Sequence, residues 1–285
     1  MSNRYTLLLR LEAVLQAWGG RSHFNDRDTL ARPTKCGVIG LLAAADGHDR
    51  NDQPADDGHT YLPLATLAAL RFAVRADRPG TFLHDFQTAG GGRFPVRPRD
   101  LITDPKRAQK AAPANDTVPG RVFSPAATSR LTDWYGAPKN ITPDPDSGAL
   151  TAGNTGRHPV IRNRWYLADA AFLAAVESPD RALLARLAER LDAPRRLLWL
   201  GRKNCPPTQP LNHGLHYGPL EDALAATPLL PRPARPTCTA WIECAPTDTG
   251  AVLMHDQPLS FASDHRSYAP RWEIQTTLTP PGAPR

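Results

Sequence analysis

With 285 residues, 41% of them hydrophobic, the chain is long enough to bury a core as one large domain or two small ones. A net charge of +6 and a pI near 9.4 favour a polyanionic partner, although an Arg, Ala and Pro bias of this kind also follows from a GC-rich genome. There is no run of about 18 apolar residues to cross a membrane, the opening Met1–Tyr5 shows no small-residue cleavage site, and Cys36, Cys205, Cys238 and Cys244 lack the spacing of a zinc site or disulfide framework, all of which suits a cytoplasmic protein with reduced thiols.

Tyr5–Glu12 alternates, with Leu7, Leu9 and Leu11 on one side and Leu8, Arg10 and Glu12 on the other, and predicts a strand with one fully buried face. It runs into a glycine-bearing loop that presents Gln16, Trp18, Gly19 and Arg21. The stretch Ala31–Ala45 then predicts a basic loop entering a helix: Thr34 suits the N-cap, Val38, Leu41, Leu42 and Ala45 keep helical period, and Gly47 suits the left-handed residue past its end. A second stripe, Gly37, Gly40 and Ala44, gives up helix propensity and so calls for close approach by a backbone or a ligand. Free N–H groups at the helix start, beside Arg32 and Lys35, favour an anion such as a nucleic-acid phosphate. The acidic run Asp46 to Gly58 reads as a solvated turn, because it lacks a calcium-loop pattern.

Leu70–Ala76 predicts a second strand with Arg71 and Arg75 on its outward face, and Thr81–Thr88 continues extended to Gly90-Gly91-Gly92. From Thr88 to Ile161 there are ten prolines, eight glycines, ten Lys or Arg and no Glu, which marks an insertion rather than core. Its scattered Phe94, Val122, Phe123, Trp134 and Tyr135 would suit an arm folding over a partner. Arg164–Val176 predicts one long central strand, Ser178-Pro179-Asp180 an N-cap, first-turn proline and first-turn acid, and Ala182–Leu191 a helix ending at Pro194. Leu197–Leu200 predicts the fourth strand, broken by Gly201-Arg202-Lys203-Asn204-Cys205. Beyond Pro207 the pattern weakens to a short helix over Leu220–Ala225 and short strands over Thr237–Cys244 and Ala269–Leu278, an irregular tail packed on the first domain.

The order strand, helix, strand, insertion, strand, helix, strand predicts an α+β ferredoxin-like fold, whose sheet leaves a face or edge open to single-stranded RNA. Residues 1–87 with 162–211 would form the palm, 88–161 an inserted arm and 212–285 a C-terminal extension.

Six landmarks stand in register: Leu15–Gly19, Arg32–Leu42, Phe72–Arg75, His84-Asp85-Phe86-Gln87-Thr88, Tyr166–Phe172 and Leu200–Pro206. Together they resemble the fifth family of CRISPR-associated (Cas) proteins, in the form found in the type I-E surveillance complex Cascade. The match covers most of residues 5 to 211, with an echo at Tyr268–Ile274. The resemblance implies a repeat-associated RNA-binding (RAMP, RRM-like) palm with a long thumb. The job it implies is capping the repeat-derived 5′ handle of the CRISPR RNA beside the backbone subunit (CasC) and the large subunit (CasA), and meeting target DNA only through the assembled complex. It implies no catalysis, and the residues themselves give no reason to expect a cofactor, a metal or a membrane. Gln16, Trp18, Gly19, Arg32, Thr34, Lys35, Gly37, Thr88, Arg202, Lys203 and Asn204 are the expected RNA-binding residues, with Trp18 as a stacking platform and Lys35 on a phosphate. Two positions depart from the family pattern: Gln87 stands where a histidine is expected, and Lys203-Asn204 where Arg-Ser is usual.

Two other readings compete. A metal-independent endoribonuclease of precursor RNA would need a base, an acid and a cation, for which His23, Lys35, His84 and Tyr166 are the available parts. A general single-stranded RNA-binding module needs only the basic surface. His213 and His216 form too small a set to indicate a metal.

Overall fold

A computed structural model describes residues 4–19, 26–48, 60–89, 142–143, 150–151, 160–233, 235–262 and 265–281. His23, most of the acidic run and most of the expected arm, with Phe94, Val122, Phe123, Trp134 and Tyr135, lie outside them. The chain divides into two compact units, residues 1–85 with 164–285 and residues 86–163.

Along the chain the elements are β1 (Tyr5–Glu12), β2 (Leu15–Gln16), β3 (Asp26–Arg27), α1 (Lys35–Asp46), α2 (Leu64–Ala68), β4 (Arg71–Arg78) and β5 (Thr81–Ala89). They continue as β6 (Thr142–Pro143), β7 (Leu150–Thr151), β8 (Val160–Ala168), β9 (Ala171–Ser178), α3 (Arg181–Asp192), β10 (Asn212–Tyr217), α4 (Leu220–Ala226), β11 (Cys238–Cys244), β12 (Val252–Ser260) and β13 (Ser267–Leu278). In the first unit an antiparallel sheet runs β10-β1-β9-β4-β11-β13-β12; β2, β3 and β5 pair with β8 in a smaller sheet, and β5 and β8 each continue along the chain into the second unit. The described part of the second unit includes the short β6–β7 pair.

Local signals hold at α1. Thr34 caps it, its hydroxyl accepting from the Gly37 N–H at 3.2 Å, and Gly47 closes it at φ 111°. The greasy face of α1, with Leu7, Leu9 and Leu11 from β1 and Leu184 and Leu187 from α3, makes the main core. Leu8 is buried too, on the opposite side of the sheet, against Ala73, Leu173 and Ala175 and under Leu220, Ala223 and Leu224 of α4. Both faces of β1 are therefore covered, where one was expected. At about 25 cal/mol per Å2 of apolar surface, a buried leucine stabilises by roughly 2 kcal/mol before chain entropy is counted.

Five expectations need correction. Arg164–Val176 is two strands, because Asp169 takes a left-handed φ of 54° and turns β8 into β9; Asp is among the few residues that tolerate this conformation. The α3 cap is Asp180, whose carboxylate accepts from Ala182 and Leu183 N–H, while Ser178 accepts from the Asp180 N–H one step earlier. Leu197–Leu200 is not a strand; its place beside β1 is taken by β10, a polar edge strand with little apolar signal. The tail is not irregular, since β11 pairs with β4 and carries β13 and β12 outward. Nor is the second sheet face open beside β4: Arg75 is 0% exposed, its guanidinium held by Asp77 and by the carbonyls of Leu224, Thr227 and Pro228. Arg71 pairs with Glu221 and Glu177. A buried guanidinium persists only when its donors are matched in this way.

Candidate nucleic-acid interface

The N-terminus of α1, expected to receive a phosphate, is filled from within. The backbone N–H of Lys35 donates to the Asp256 carboxylate at 2.7 Å, so the position favourable to an anion already holds one. The Lys35 side chain is 1% exposed as a residue, and its Nζ bonds both oxygens of Glu243 at 2.9 and 3.0 Å. Arg32 pairs with Glu273 and lies 4.7 Å over the Trp241 ring. Arg271 joins Asp256 to Glu273 at 2.6 and 2.9 Å. Arg32, Lys35 and Arg271 thus face Glu243, Asp256 and Glu273, three cations against three carboxylates. Burial pushes the Lys35 amine and the Arg32 guanidinium below their ordinary values, against the pull of Glu243 and Glu273. At Arg271 burial acts the same way, but the Asp256, Glu273 and Glu243 carboxylates together outweigh it and the value rises. A phosphate at Lys35 or Arg32 would have to displace a carboxylate from β11, β12 or β13.

The small-residue stripe has an equally internal cause. A Cβ on Gly37 would sit 2.9 Å from the Trp18 ring, and one on Gly40 would meet Phe261 at 3.6 Å. Trp18 is 1% exposed, its Nε1 donating to Gln16 Oε1 at 3.0 Å, while Gln16 Nε2 donates to the carbonyls of Leu11 and Ala170. Trp18 and Gln16 are core. No base can stack on that indole while the core stays closed, which corrects its expected role.

The loop after Leu200 behaves differently. Gly201 takes a φ of 96°, and a Cβ there would fall 1.6 Å from the Ala17 carbonyl oxygen, so only glycine lets the loop lie against Ala17. Ala17 N–H donates to the Leu200 carbonyl at 3.0 Å and Cys205 N–H to that of Arg202 at 2.9 Å, which closes the turn. The Arg202 guanidinium then ties three segments together: it donates to the carbonyl of Trp165 on β8 at 3.0 Å and to those of Arg27 and Asp28 at 3.0 and 2.9 Å. It also lies 4.8 Å over the Tyr166 ring, whose hydroxyl accepts from Asn204 Nδ2 at 2.8 Å. Arg202 and Asn204 are braces. Lys203 between them is exposed and makes no hydrogen bond or ion pair among the described residues, and Arg27 is exposed on β3. Gly19 and Thr88 are exposed as well, Thr88 in the second unit.

Two further groups, on β8 and β5, carry no local RNA-binding signal in the sequence. Trp165, 40% exposed, stacks on His84 of β5 with ring centroids 4.5 Å apart and planes at 21°. Alternation along β8, with Tyr166 buried, puts Trp165 on the outer face, but its pairing with His84 across the sheet carries no local signal. Of the residues in the nuclease reading, His23 lies outside the described residues, Lys35 bonds Glu243 and Tyr166 accepts from Asn204. Among the described residues no group of three or more His, Cys, Asp or Glu could hold a metal. Burial raises the Cys36 and Cys205 thiols and pushes Cys238 up to about 11, so these are not ready nucleophiles.

Comparison with known proteins gives this geometry a setting. The profile of the family described as CRISPR-associated protein (Cas_Cas5) matches residues 6–274. The CRISPR system Cascade subunit CasD of Escherichia coli (strain K12) is 27% identical over 211 residues, 73% of this chain and 70% of that protein. Among solved structures, a chain of a "CRISPR RNA-guided surveillance complex" superposes with a TM-score of 0.62 at 27% identity, covering 97% of this chain and 91% of the other. A "Crystal structure of Cas protein" superposes with a TM-score of 0.58 at 30% identity, over 98% and 100%. A core built from residues at both ends of the described chain, and a match that runs from β1 to β13, leave one assignment: the chain belongs to the Cas5 family of CRISPR-associated proteins.

Proposed function

We propose that this chain is a non-catalytic subunit of a type I-E Cascade complex that binds and caps the 5′ repeat-derived handle of the CRISPR RNA, next to the backbone subunit CasC and the large subunit CasA. The observation that carries this reading is the likeness, over 97% of the chain, to one chain of an RNA-guided surveillance complex. The strand order β10-β1-β9-β4, with α1 joining β1 to β4 and α3 joining β9 to β10, supports reading this part as the ferredoxin-like palm. Residues 88–161 would supply the thumb. Lys203, Arg27 and Trp165 supply cations and an aromatic surface of the kind a single strand needs, held in place by Arg202. The engagement of Lys35 and Tyr166 by other side chains favours binding over cleavage. Such a complex would work in the cytoplasm.

The test is to express the chain with its neighbouring genes, purify through a tag on this subunit, and sequence the 5′ ends of the RNA retained. A large particle whose RNA shares one repeat-derived 5′ end is expected. Recovery of the chain alone with mixed cellular RNA would favour a general RNA-binding module, and site-specific cutting of repeat RNA by the purified chain would favour the nuclease.

A further inference from the structure

We infer that Trp165, backed by His84, is a stacking platform for one unpaired base of the bound RNA. The inference rests on the RNA-binding role proposed above and assigns that role a residue-level contact. Among the described residues the indole stacks on His84, at 4.5 Å and 21°, and still leaves 40% of its surface in solvent. An aromatic pair in this arrangement presents a preformed edge of a stack, onto which a further ring adds without reorganising the protein. Phe82, two residues from His84 and so on the same side of β5, is 57% exposed and lengthens the apolar strip.

The surroundings favour a nucleotide over an apolar protein segment. The β8 backbone at Trp165 is fixed by the same Arg202 guanidinium that grips the carbonyls of Arg27 and Asp28, so the segments bearing Arg27 and Lys203 converge on the strand that carries the platform. Both side chains are exposed, and Arg164 is half-buried beside Trp165. Asp26 and Asp28 flank Arg27, but residues 199–208 around Lys203 contain no acid. Exposed cations on segments that meet the strand bearing a base platform suit the phosphates that run on from a stacked base. Arg202 is here a positioning residue; it touches carbonyls, not the ligand.

The test uses the assembled complex carrying wild type, Trp165→Leu, Trp165→Phe or Lys203→Ala, titrated with repeat-derived RNA at several salt concentrations. The same RNA is also prepared with 2-aminopurine at successive handle positions. Trp165→Leu fills the space without a π face and is expected to weaken binding about tenfold at unchanged salt slope, with Trp165→Phe close to wild type. One 2-aminopurine position should brighten in Trp165→Leu as it unstacks. Lys203→Ala should instead lower the salt slope by about one. Wild-type affinity for Trp165→Leu, with no 2-aminopurine position responding, would overturn the platform while leaving the RNA-binding role intact. Loss of a neighbouring protein subunit rather than of RNA affinity would overturn it in favour of a protein contact. A wild-type complex that holds no repeat RNA would defeat the proposed function and this inference together.

Discussion

The start of α1 and the loop after Leu200 look alike in sequence, since each sets basic residues beside a glycine, and they end in opposite states. At α1 every cation is matched by a carboxylate from β11, β12 or β13, and the N-terminal N–H of Lys35 is closed by Asp256. After Leu200 the one cation that is consumed, Arg202, is spent on backbone carbonyls, and its neighbour Lys203 is left in solvent. A basic motif offers charge to a ligand only after the protein's own acids are subtracted. The first region is a latch between the helix and the C-terminal strands; the second is a brace that leaves its surroundings outward.

The contrast can be broken at its strongest point. Asp256→Ala removes the acceptor of the Lys35 N–H and one partner of Arg271, whose other terminal nitrogen is already buried without a partner. Breaking a buried pair by removing one member costs about 3–5 kcal/mol, and urea unfolding of the complex-free chain should show a loss of that size, smaller for Asp256→Asn. On the other side, Gly201→Ala should cost about 3 kcal/mol, because a left-handed φ is strained for alanine and the new Cβ collides with the Ala17 carbonyl. RNA affinity should fall with it as the loop carrying Lys203 moves. A much smaller effect separates structural acids from solvated ones. Burial raises the Glu12 carboxyl, but its hydrogen bonds from Arg10 and Arg78 outweigh that and hold it below 4.5. A lowered folded value means stability that is present above the unfolded carboxylate range and lost as pH falls through the folded one. The stability gap between wild type and Glu12→Gln should therefore be full at neutral pH and shrink below about pH 4.5.

What the sequence made legible follows from range. The α1 caps were readable because Thr34 and Gly47 act on atoms within four residues of themselves. The alternation of β1 was readable for the same reason. Lys35 meets Glu243 across 208 residues and Arg32 meets Glu273 across 241, so the fate of these cations was not written near them. The glycine stripe correctly demanded close approach, but the approaching groups are the rings of Trp18 and Phe261 rather than a ligand. The break at Asp169 was hidden by apolar residues on both sides, and β10 was hidden by its polar edge character. At the candidate site, the loop Gly201–Asn204 was found by its composition. Trp165 carries no such signal, because its significance comes from a neighbour on another strand.

The chain has five lysines, and two of them decide the account directly. Brief acetylation of the native complex, with and without repeat-derived RNA, followed by mass spectrometry of the peptides bearing Lys35 and Lys203, reads both states in one sample. The account predicts that Lys203 is modified in the RNA-free protein and protected when RNA is bound, while Lys35, held by Glu243, is unmodified in both. Modification of Lys35 that RNA suppresses, with Lys203 indifferent to RNA, would contradict it and return the start of α1 to the role of phosphate site.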